Sequence, residues 1–291
     1  MQQQQDTKVY FKDGGQYQSF RPKYPSKFIQ KIRGLRGGRN YLDLATGTGQ
    51  LLFQFYHLFG GLSLGTDISE SMLKAAQKQA EDLASSLKAG QEIKFLQGDC
   101  QRIDELVSRI SADKKFDLVT IGEAFHWFDM ETLLEKIKTQ ILSQDGTLAI
   151  LSYFIEDIEL STNNKALQDK VSRGYLEFYN TVKVYSKFDQ DVLYSGYAGI
   201  NFEKFFKITK ETETEKAPSR VEDVIGHLNT WSMYNTYLEK HSQEKGFIDP
   251  LKKLSQIIEE TIEAGTASNE LTNKDYPVSL VIPYQLIITH Q

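Results

Sequence analysis

Short apolar runs alternate with longer, partly polar segments along the first half of the chain. The apolar runs have the length and continuous apolar character of strands that are buried on both faces of a parallel sheet. They lie at residues 41–45, 62–67, 93–97, 116–122 and 146–153, and segments with helical character lie at 51–59, 70–87 and 130–142. This alternation predicts a doubly wound parallel α/β sheet with its binding site at the carboxyl edge.

The alternation stops after residue 153. We expect Pro218 to open a helical stretch. Pro283 lies inside the last β-rich run, and because proline cannot donate to a ladder we expect a bulge or a strand break there. The other predicted elements are helices at 165–184 and 251–264 and strands at about 205–212 and 278–289.

The segment ahead of the first strand has a different pattern. Residues 8–28 are dense in aromatic side chains and contain two prolines that prevent a continuous helix, so we interpret this stretch as a lid. A short helix is predicted at 27–33. The whole chain is interpreted as a single domain, with a lid at 1–33, a binding core at 40–153, a substrate cap at 154–277 and a last strand at 278–289.

Composition and charge narrow the class of protein. The formal net charge of −5 leaves no basic footprint of the kind that binds phosphate backbones, which argues against a nucleic-acid partner. Cys100 is the only cysteine, so an internal disulfide and a cysteine-based zinc cluster are excluded. No secretory signal is visible, and the longest apolar region, at 51–64, is too interrupted to span a bilayer. We expect a cytoplasmic monomer with neither a membrane span nor a metal.

The turn after the first strand carries the strongest functional signal. Asp43 lies inside the strand, and Gly47 and Gly49 follow it in the pattern D-x-A-x-G-x-G. The glycines can adopt positive φ and let a ligand approach the backbone, and the amides of the next helix face the same ligand. A dinucleotide site would need a third small residue where this chain has Leu52, which disfavours a NAD-dependent oxidoreductase.

Acidic residues stand at the ends of the next three strands. Asp67 lies 20 residues after Gly47, the usual interval for a carboxylate that accepts the hydroxyls of a ribose. Asp99 is placed to accept a hydrogen bond from an adenine amine, and Glu123 follows the fourth strand. Because the carboxyl ends of parallel strands meet at one edge, these acids predict an adenosine site beside the glycine turn.

Taken together, the motifs resemble those of class I S-adenosylmethionine (SAM) methyltransferases. The general motifs are D-L-A-T-G-T-G, G-T-D-I-S, G-D-C and E-A-F-H-W-F-D. R-P-K-Y-P at 21–25 and L-N-T-W-S-M-Y at 228–234 are similar to segments of the fungal trans-aconitate methyltransferase group, where a small-molecule methyltransferase of yeast is the expected closest relative. The resemblance implies a Rossmann-like sheet of seven strands, SAM as the cofactor, and methylation of a small carboxylic acid to its methyl ester.

Carried over position by position, the resemblance implies a cofactor site and a substrate pocket. The cofactor site would comprise Tyr10, Arg21, Asp43, Ala45, Gly47, Gly49, Asp67, Ile68, Met72, Asp99, Cys100, Glu123 and Ala124. The substrate pocket would comprise Tyr17, Tyr24, Trp127, Trp231 and Tyr234. Arg21 has a guanidinium fork that matches carboxylates. We expect it to hold the carboxylate of SAM, and the alternatives are the carboxylate of the substrate or a surface ion pair.

The expected chemistry needs little acid–base catalysis. A carboxylate acceptor is already ionised at neutral pH, so alignment of the reacting groups would supply most of the rate enhancement. His126 is the best-placed base candidate, and a packing role beside Trp127 is its favoured interpretation. Trp231 and Tyr234, three apart, form either pocket wall or core. The alternatives from other classes are a methyltransferase acting on protein or tRNA, a NAD-dependent oxidoreductase, and a SAM-binding module without activity.

Overall fold

The structure is a computed structural model that describes residues 20–35, 37–111, 114–265 and 273–290. Its helices are α1 Ser26–Arg33, α2 Leu52–Phe55, α3 Glu70–Leu83, α4 Ile103–Ser108, α5 Met130–Lys136, α6 Lys165–Val182, α7 Gln190–Tyr194, α8 Val221–Asn229, α9 Ser232–His241 and α10 Pro250–Gly265. Its strands are β1 Tyr41–Leu44, β2 Leu62–Asp67, β3 Glu92–Gln97, β4 Phe116–Gly122, β5 Leu142–Tyr153, β6 Asp157–Leu160, β7 Lys207–Arg220 and β8 Pro277–His290.

These strands form one eight-stranded sheet. β3, β2, β1, β4 and β5 lie side by side in that order and run parallel. β8 is antiparallel to β5, and it also pairs with β6 and β7. Since the strand order reverses at β1, the crevice between the ends of β1 and β4 is the switch point where open α/β sheets bind their ligands. The predicted doubly wound α/β fold is confirmed.

Burial on both faces explains why β1 is apolar apart from Asp43. All of its residues are buried, with Tyr41 in one apolar cluster and Leu42 and Leu44 in the other. The cluster around Tyr41 also contains side chains of α1, α2 and the cap helices α6, α8, α9 and α10. The other cluster contains α4 and α5. The helix of the lid and the cap helices α6, α8, α9 and α10 therefore pack on the same face of the sheet, whereas Leu193 of α7 packs in the other cluster.

The second half of the sheet differs from the prediction. β6 is an eighth strand that the sequence pattern does not reveal, and β7 covers Lys207–Arg220 rather than 205–212. The expectation that Pro218 opens a helix is wrong, because Pro218 lies within β7 opposite Ser279 and α8 begins at Val221. Within the described ranges β7 pairs with β8 alone, and an edge strand tolerates a proline.

The expected break at Pro283 is also wrong, since β8 is continuous and keeps one register against β7. The carbonyl oxygen of Pro283 accepts the Phe154 N–H at 3.4 Å, so its nitrogen faces the same way, towards the connection between β5 and β6. β5 pairs with β8 up to Tyr284 and β6 from Val281. The missing donor thus falls in the gap between two partner strands, where no ladder bond is lost.

Candidate active site

The glycine turn adopts the backbone conformation that its sequence predicts. Ala45, Gly47 and Gly49 have φ values of 52°, 55° and 87°, and the Gly49 N–H donates to the Thr46 carbonyl at 2.8 Å. A side chain at Gly49 would collide with the ring of Phe53, whereas nothing lies within 4 Å of the position of a side chain at Gly47. Gly49 therefore serves packing, and Gly47 faces open space that a ligand can fill.

Asp43 holds this turn from inside the fold. Its carboxylate is buried and accepts the hydroxyls of Thr46 at 2.6 Å and Thr120 at 2.5 Å. Burial raises the pKa of Asp43 to about 6, although both hydroxyls favour the ionised form. It does not line the cavity described below, so the structure gives it a positioning role under the turn rather than contact with a ligand.

Asp67 connects the turn to the next helix. Its two carboxylate oxygens accept the Gly47 N–H at 2.9 Å and the Ser69 N–H at 2.8 Å. Burial raises its pKa above the ordinary aspartate value. The Ile68 N–H also hydrogen-bonds this carboxylate. Since a carboxylate offers about four lone-pair sites, it can still accept a hydroxyl donor from the adjoining cavity.

A cavity of about 610 Å³ opens at the carboxyl ends of these strands, and we call it the edge cavity. The predicted site residues that line it are Ala45, Gly47, Asp67, Ile68, Met72, Asp99, Cys100, Glu123, Ala124, His126 and Trp127. Other lining residues, which were not among the predicted site residues, include Gln101, Phe128, Lys187, Phe188, Asp189 and Val192. The last four lie around the start of α7 in the cap, and only the tertiary fold brings them here.

Asp99 and Cys100 form the far end of the edge cavity. The Asp99 carboxylate caps the following turn by accepting the Gln101 N–H at 2.9 Å. The Cys100 thiol is buried 3.3 Å from the hydroxyl of Thr66, and burial raises its pKa to about 12. Cys100 is therefore a neutral wall residue and not a nucleophile.

A smaller cavity of about 100 Å³, the aromatic cavity, adjoins the first. Both cavities are lined by Glu123, His126, Trp127 and Phe188. Its other lining residues are Arg21, Tyr153, Phe154, Ile155, Gln190, Leu193, Tyr194, His227, Trp231, Ser232 and Met233. The lid, the end of β5 and the cap meet here, so the structure joins the predicted substrate residues Trp127 and Trp231 in one cavity.

Glu123 lies at the junction of the two cavities in a left-handed conformation, with φ at 53°. Its carboxyl group accepts the Tyr153 N–H at 2.5 Å. Burial raises its pKa to about 8, and the charge of Arg21 opposes that rise. The phenols of Tyr197 and Tyr284 also interact electrostatically with Glu123. At neutral pH the Glu123 side chain is mainly protonated.

His126 is buried, and its surroundings keep it neutral. Its Nδ1 lies 3.2 Å from the Tyr197 hydroxyl, and the centroid of its ring lies 4.1 Å from that of Phe188. Burial and the charge of Arg21 lower its pKa to about 3. A histidine with so low a pKa is a weak base, which favours the packing interpretation of His126.

His227, which is not among the predicted site residues, ties the lid to the cap. Its Nδ1–H donates to the Phe20 carbonyl at 3.1 Å, and its Nε2 accepts the Trp231 indole N–H at 3.1 Å. Phe20 packs so closely on Gly226 that a side chain there would come within 2.6 Å of its ring. Burial and the charge of Arg21 lower the pKa of His227 to about 3. The bridge therefore depends on a neutral imidazole.

Several other predicted residues lie apart from the edge cavity. Arg21 lines the aromatic cavity, where its guanidinium donates to the Tyr153 hydroxyl at 3.4 Å. Tyr24 lines neither of the two cavities and packs edge-on against Tyr153. The structure does not bring Tyr234 to either cavity, because its hydroxyl donates to the Asp249 carboxylate at 3.0 Å in the core. The predicted Tyr10 and Tyr17 lie outside the described residues.

In the described part of the chain, no group of three or more His, Cys, Asp or Glu side chains is placed to hold a metal ion. Within the same ranges, none of the helices has both the length and the apolar character needed to cross a membrane.

Comparison with known proteins decides the family. The family model for a methyltransferase domain matches residues 35–235, more than half of this chain. The chain belongs to this methyltransferase family. Membership decides against the NAD-dependent oxidoreductase as the general class.

Individual relatives are more distant. A Dictyostelium discoideum protein named as a methyltransferase is 22% identical over 91% of this chain and 90% of its own length. The S-adenosylmethionine-dependent methyltransferase CRG1 of Saccharomyces cerevisiae is 26% identical over 48% of this chain and 45% of its own. The C-methyltransferase UbiE of Pseudomonas fluorescens is 29% identical over 51% of this chain and 52% of its own. The chain thus spans about half the length of these last two relatives, and membership of the trans-aconitate group stays a prediction.

A solved structure shows the same fold. A type II methyltransferase from Anaeromyxobacter dehalogenans superimposes with a TM-score of 0.62 at 16% identity, covering 93% of this chain and 98% of its own. This likeness supports the class I methyltransferase fold alone.

The edge cavity fits SAM, the cofactor of this methyltransferase. Asp67 lines the cavity and would accept hydrogen bonds from the ribose hydroxyls, and Gly47 leaves open space at the backbone. Ile68 and Met72 provide an apolar surface for the adenine ring, and Asp99 lies at the same end of the cavity. These residues would hold the cofactor, with Glu123 at the side that opens to the aromatic cavity.

Proposed function

We propose that this methyltransferase methylates the carboxylate of a small organic acid to give a methyl ester. The observation that carries the proposal is the charge of the aromatic cavity. Among its described lining residues, Arg21 is the one permanent cation, and its fork matches a carboxylate. His126 and His227 are neutral groups of very low pKa, and Glu123 is mainly protonated at neutral pH.

This set of side chains supports an acceptor that is ionised before it binds. A hydroxyl or a protonated amine must lose a proton during transfer, and a base with a pKa far below 7 takes that proton inefficiently. Bound SAM supplies a methyl group on a positively charged sulfonium. The protein's own part is to orient the acceptor through Arg21 and to exclude water with aromatic walls. Such positioning can contribute roughly 7–11 kcal/mol.

The proposal is tested by incubating the protein with methyl-labelled SAM and a panel of small acids, alcohols and amines. We expect label only in acids, in a product that mild alkali hydrolyses, because esters saponify whereas ethers and methylamines do not. His126→Ala should keep substantial turnover. A product stable to alkali, or loss of several orders of magnitude in His126→Ala that high pH restores, would contradict the proposal.

The same experiment addresses the alternatives. Label in protein or tRNA of a cell extract, with none in small acids, would support a macromolecular substrate instead. A carbon-methylated ring would be stable to alkali and would place the reaction with C-methyl transfer, the activity in the name of the Pseudomonas relative. The monomeric state, the cytoplasmic location and the single-domain organisation also stay predictions.

A further inference from the structure

The aromatic cavity carries one unit of positive charge at neutral pH. Arg21 supplies it, and Glu123 is the one acidic side chain among the described residues that line the cavity. Burial keeps Glu123 mainly protonated, so it adds no negative charge. One bound carboxylate would therefore balance the charge that the protein's own side chains bring to the cavity. A second carboxylate would be buried without a cationic side chain as its partner, which is strongly unfavourable.

The walls of the cavity are flat and held in place. The Trp231 indole is fixed by its hydrogen bond to His227. The ring centroids of Phe154 and Tyr194 are 4.2 Å apart, and those of Trp127 and Phe188 are 5.0 Å apart. Rigid aromatic faces of this kind favour a planar apolar partner over a hydrated polar chain.

The size of the aromatic cavity also favours a small, flat, apolar ligand. Its volume of about 100 Å³ is of the order of the roughly 150 Å³ apolar cavity that binds benzene in an engineered protein core. Several of its neutral polar groups already have partners within the protein. The Gln190 amide donates to the Ser186 hydroxyl at 2.9 Å, the Tyr153 hydroxyl accepts from Arg21, and both ring nitrogens of His227 are hydrogen-bonded.

Building on the proposed carboxyl methylation, we propose that the acceptor is a monocarboxylic acid with a flat, apolar body, aromatic or unsaturated, and that di- and tricarboxylic acids are rejected. The carboxylate pairs with Arg21, and the flat body lies between the aromatic walls. This assignment differs from the expectation that the trans-aconitate resemblance implies, because trans-aconitate carries three carboxylates.

The test compares acids that differ by one feature. Benzoate and phthalate share a ring, and phthalate has one more carboxylate. Cinnamate and fumarate share an alkene, and fumarate has a second carboxylate where cinnamate has a phenyl ring. Trans-aconitate serves as the tricarboxylate. Binding is measured by calorimetry in the presence of S-adenosylhomocysteine, and methylation by label transfer. We expect the monoacids to bind and to exceed their partners in kcat/KM by about 100-fold or more, because the second charge has no partner.

A gain-of-function variant keeps the test independent of folding defects. Gln190→Lys adds a second cation to the cavity and should improve phthalate relative to benzoate by about tenfold, while Gln190→Met should not. Preference of the parent protein for phthalate or trans-aconitate would overturn this inference and leave carboxyl methylation standing. Methylation of alcohols or amines, with neither binding nor methylation of any acid, would overturn both.

Discussion

Replacing His227 by Leu tests the bridge between the lid and the cap. The substitution removes the acceptor of the Trp231 indole N–H and the donor to the Phe20 carbonyl. Each lost hydrogen bond costs roughly 1 kcal/mol, and a buried polar group left without a partner costs about 1–3 kcal/mol. The expected loss in free energy of unfolding at pH 7.5 is therefore about 2–4 kcal/mol, measured by urea denaturation.

The same variant should change the pH dependence of stability in a definite direction. His227 has a pKa of about 3 in the folded protein and about 6.5 when unfolded, so the unfolded chain binds more protons between these values. Stability contributed by the neutral imidazole is complete above pH 6.5 and is lost as the pH falls towards 3. Between pH 6.5 and 5 the free energy of unfolding falls by about 2 kcal/mol on this account, at about 1.36 kcal/mol per pH unit.

Because the pKa of His126 is also about 3 in the folded protein, His126 lowers the free energy of unfolding by a similar amount in the same pH interval, in the parent and in the variant. His227→Leu should therefore lose about 2 kcal/mol less than the parent between pH 6.5 and 5, although it is less stable at pH 7.5. His290→Gln, at an exposed position, is the control for removing a histidine. If His227→Leu shows the same pH slope as the parent, the imidazole is not held neutral and the bridge is misassigned.

Three further predictions concern the two cavities. Asp67→Ala should weaken SAM binding by about 1.5–3 kcal/mol in calorimetry, and unchanged affinity would move the ribose site elsewhere. Arg21→Met should raise KM for the acid and leave the Kd of SAM nearly unchanged, whereas a rise in Kd alone would place Arg21 on the cofactor's carboxylate. KM for the acid should rise above pH 8, because ionised Glu123 then competes for Arg21. Glu123→Gln should remove that rise, and a variant with the parent's pH profile would refute it.

Local sequence patterns predict the cofactor half of the site well. The glycine turn and the acids Asp67 and Asp99 follow their strands directly, and parallel strands bring their carboxyl ends to one edge whatever the rest of the chain does. A short range of sequence therefore determines the geometry. The positive φ of Gly47 and Gly49 and the exposure of Asp67 to the edge cavity agree with that reasoning.

The substrate half depends on packing between distant segments. Trp231 and Tyr234 were expected to share a helix face, but Trp231 precedes α9 with an extended backbone, ψ at 129°, so helical spacing does not relate them. One side chain then faces the aromatic cavity and the other the core. Phe188 reaches both cavities although nothing in its neighbourhood resembles a motif. In the sequence His227 is an ordinary helical residue, and its role depends on the contact with Phe20, which lies far away along the chain.

Backbone strain marks the place where the two halves of the site meet. Ala45 and Glu123 follow the paired ends of β1 and β4, and both have left-handed backbones that non-glycine residues adopt at a cost of roughly 1–3 kcal/mol. At both points the chain turns away from the sheet, which opens the crevice at the switch point. The apolar clusters on the two faces of the sheet hold β1 and β4 in register, and so they over-determine the strained residues. The packed core thus stabilises Ala45 and Glu123 in conformations that their own backbone propensity disfavours. Backbone propensity alone therefore could not have predicted where the chain turns away from the sheet.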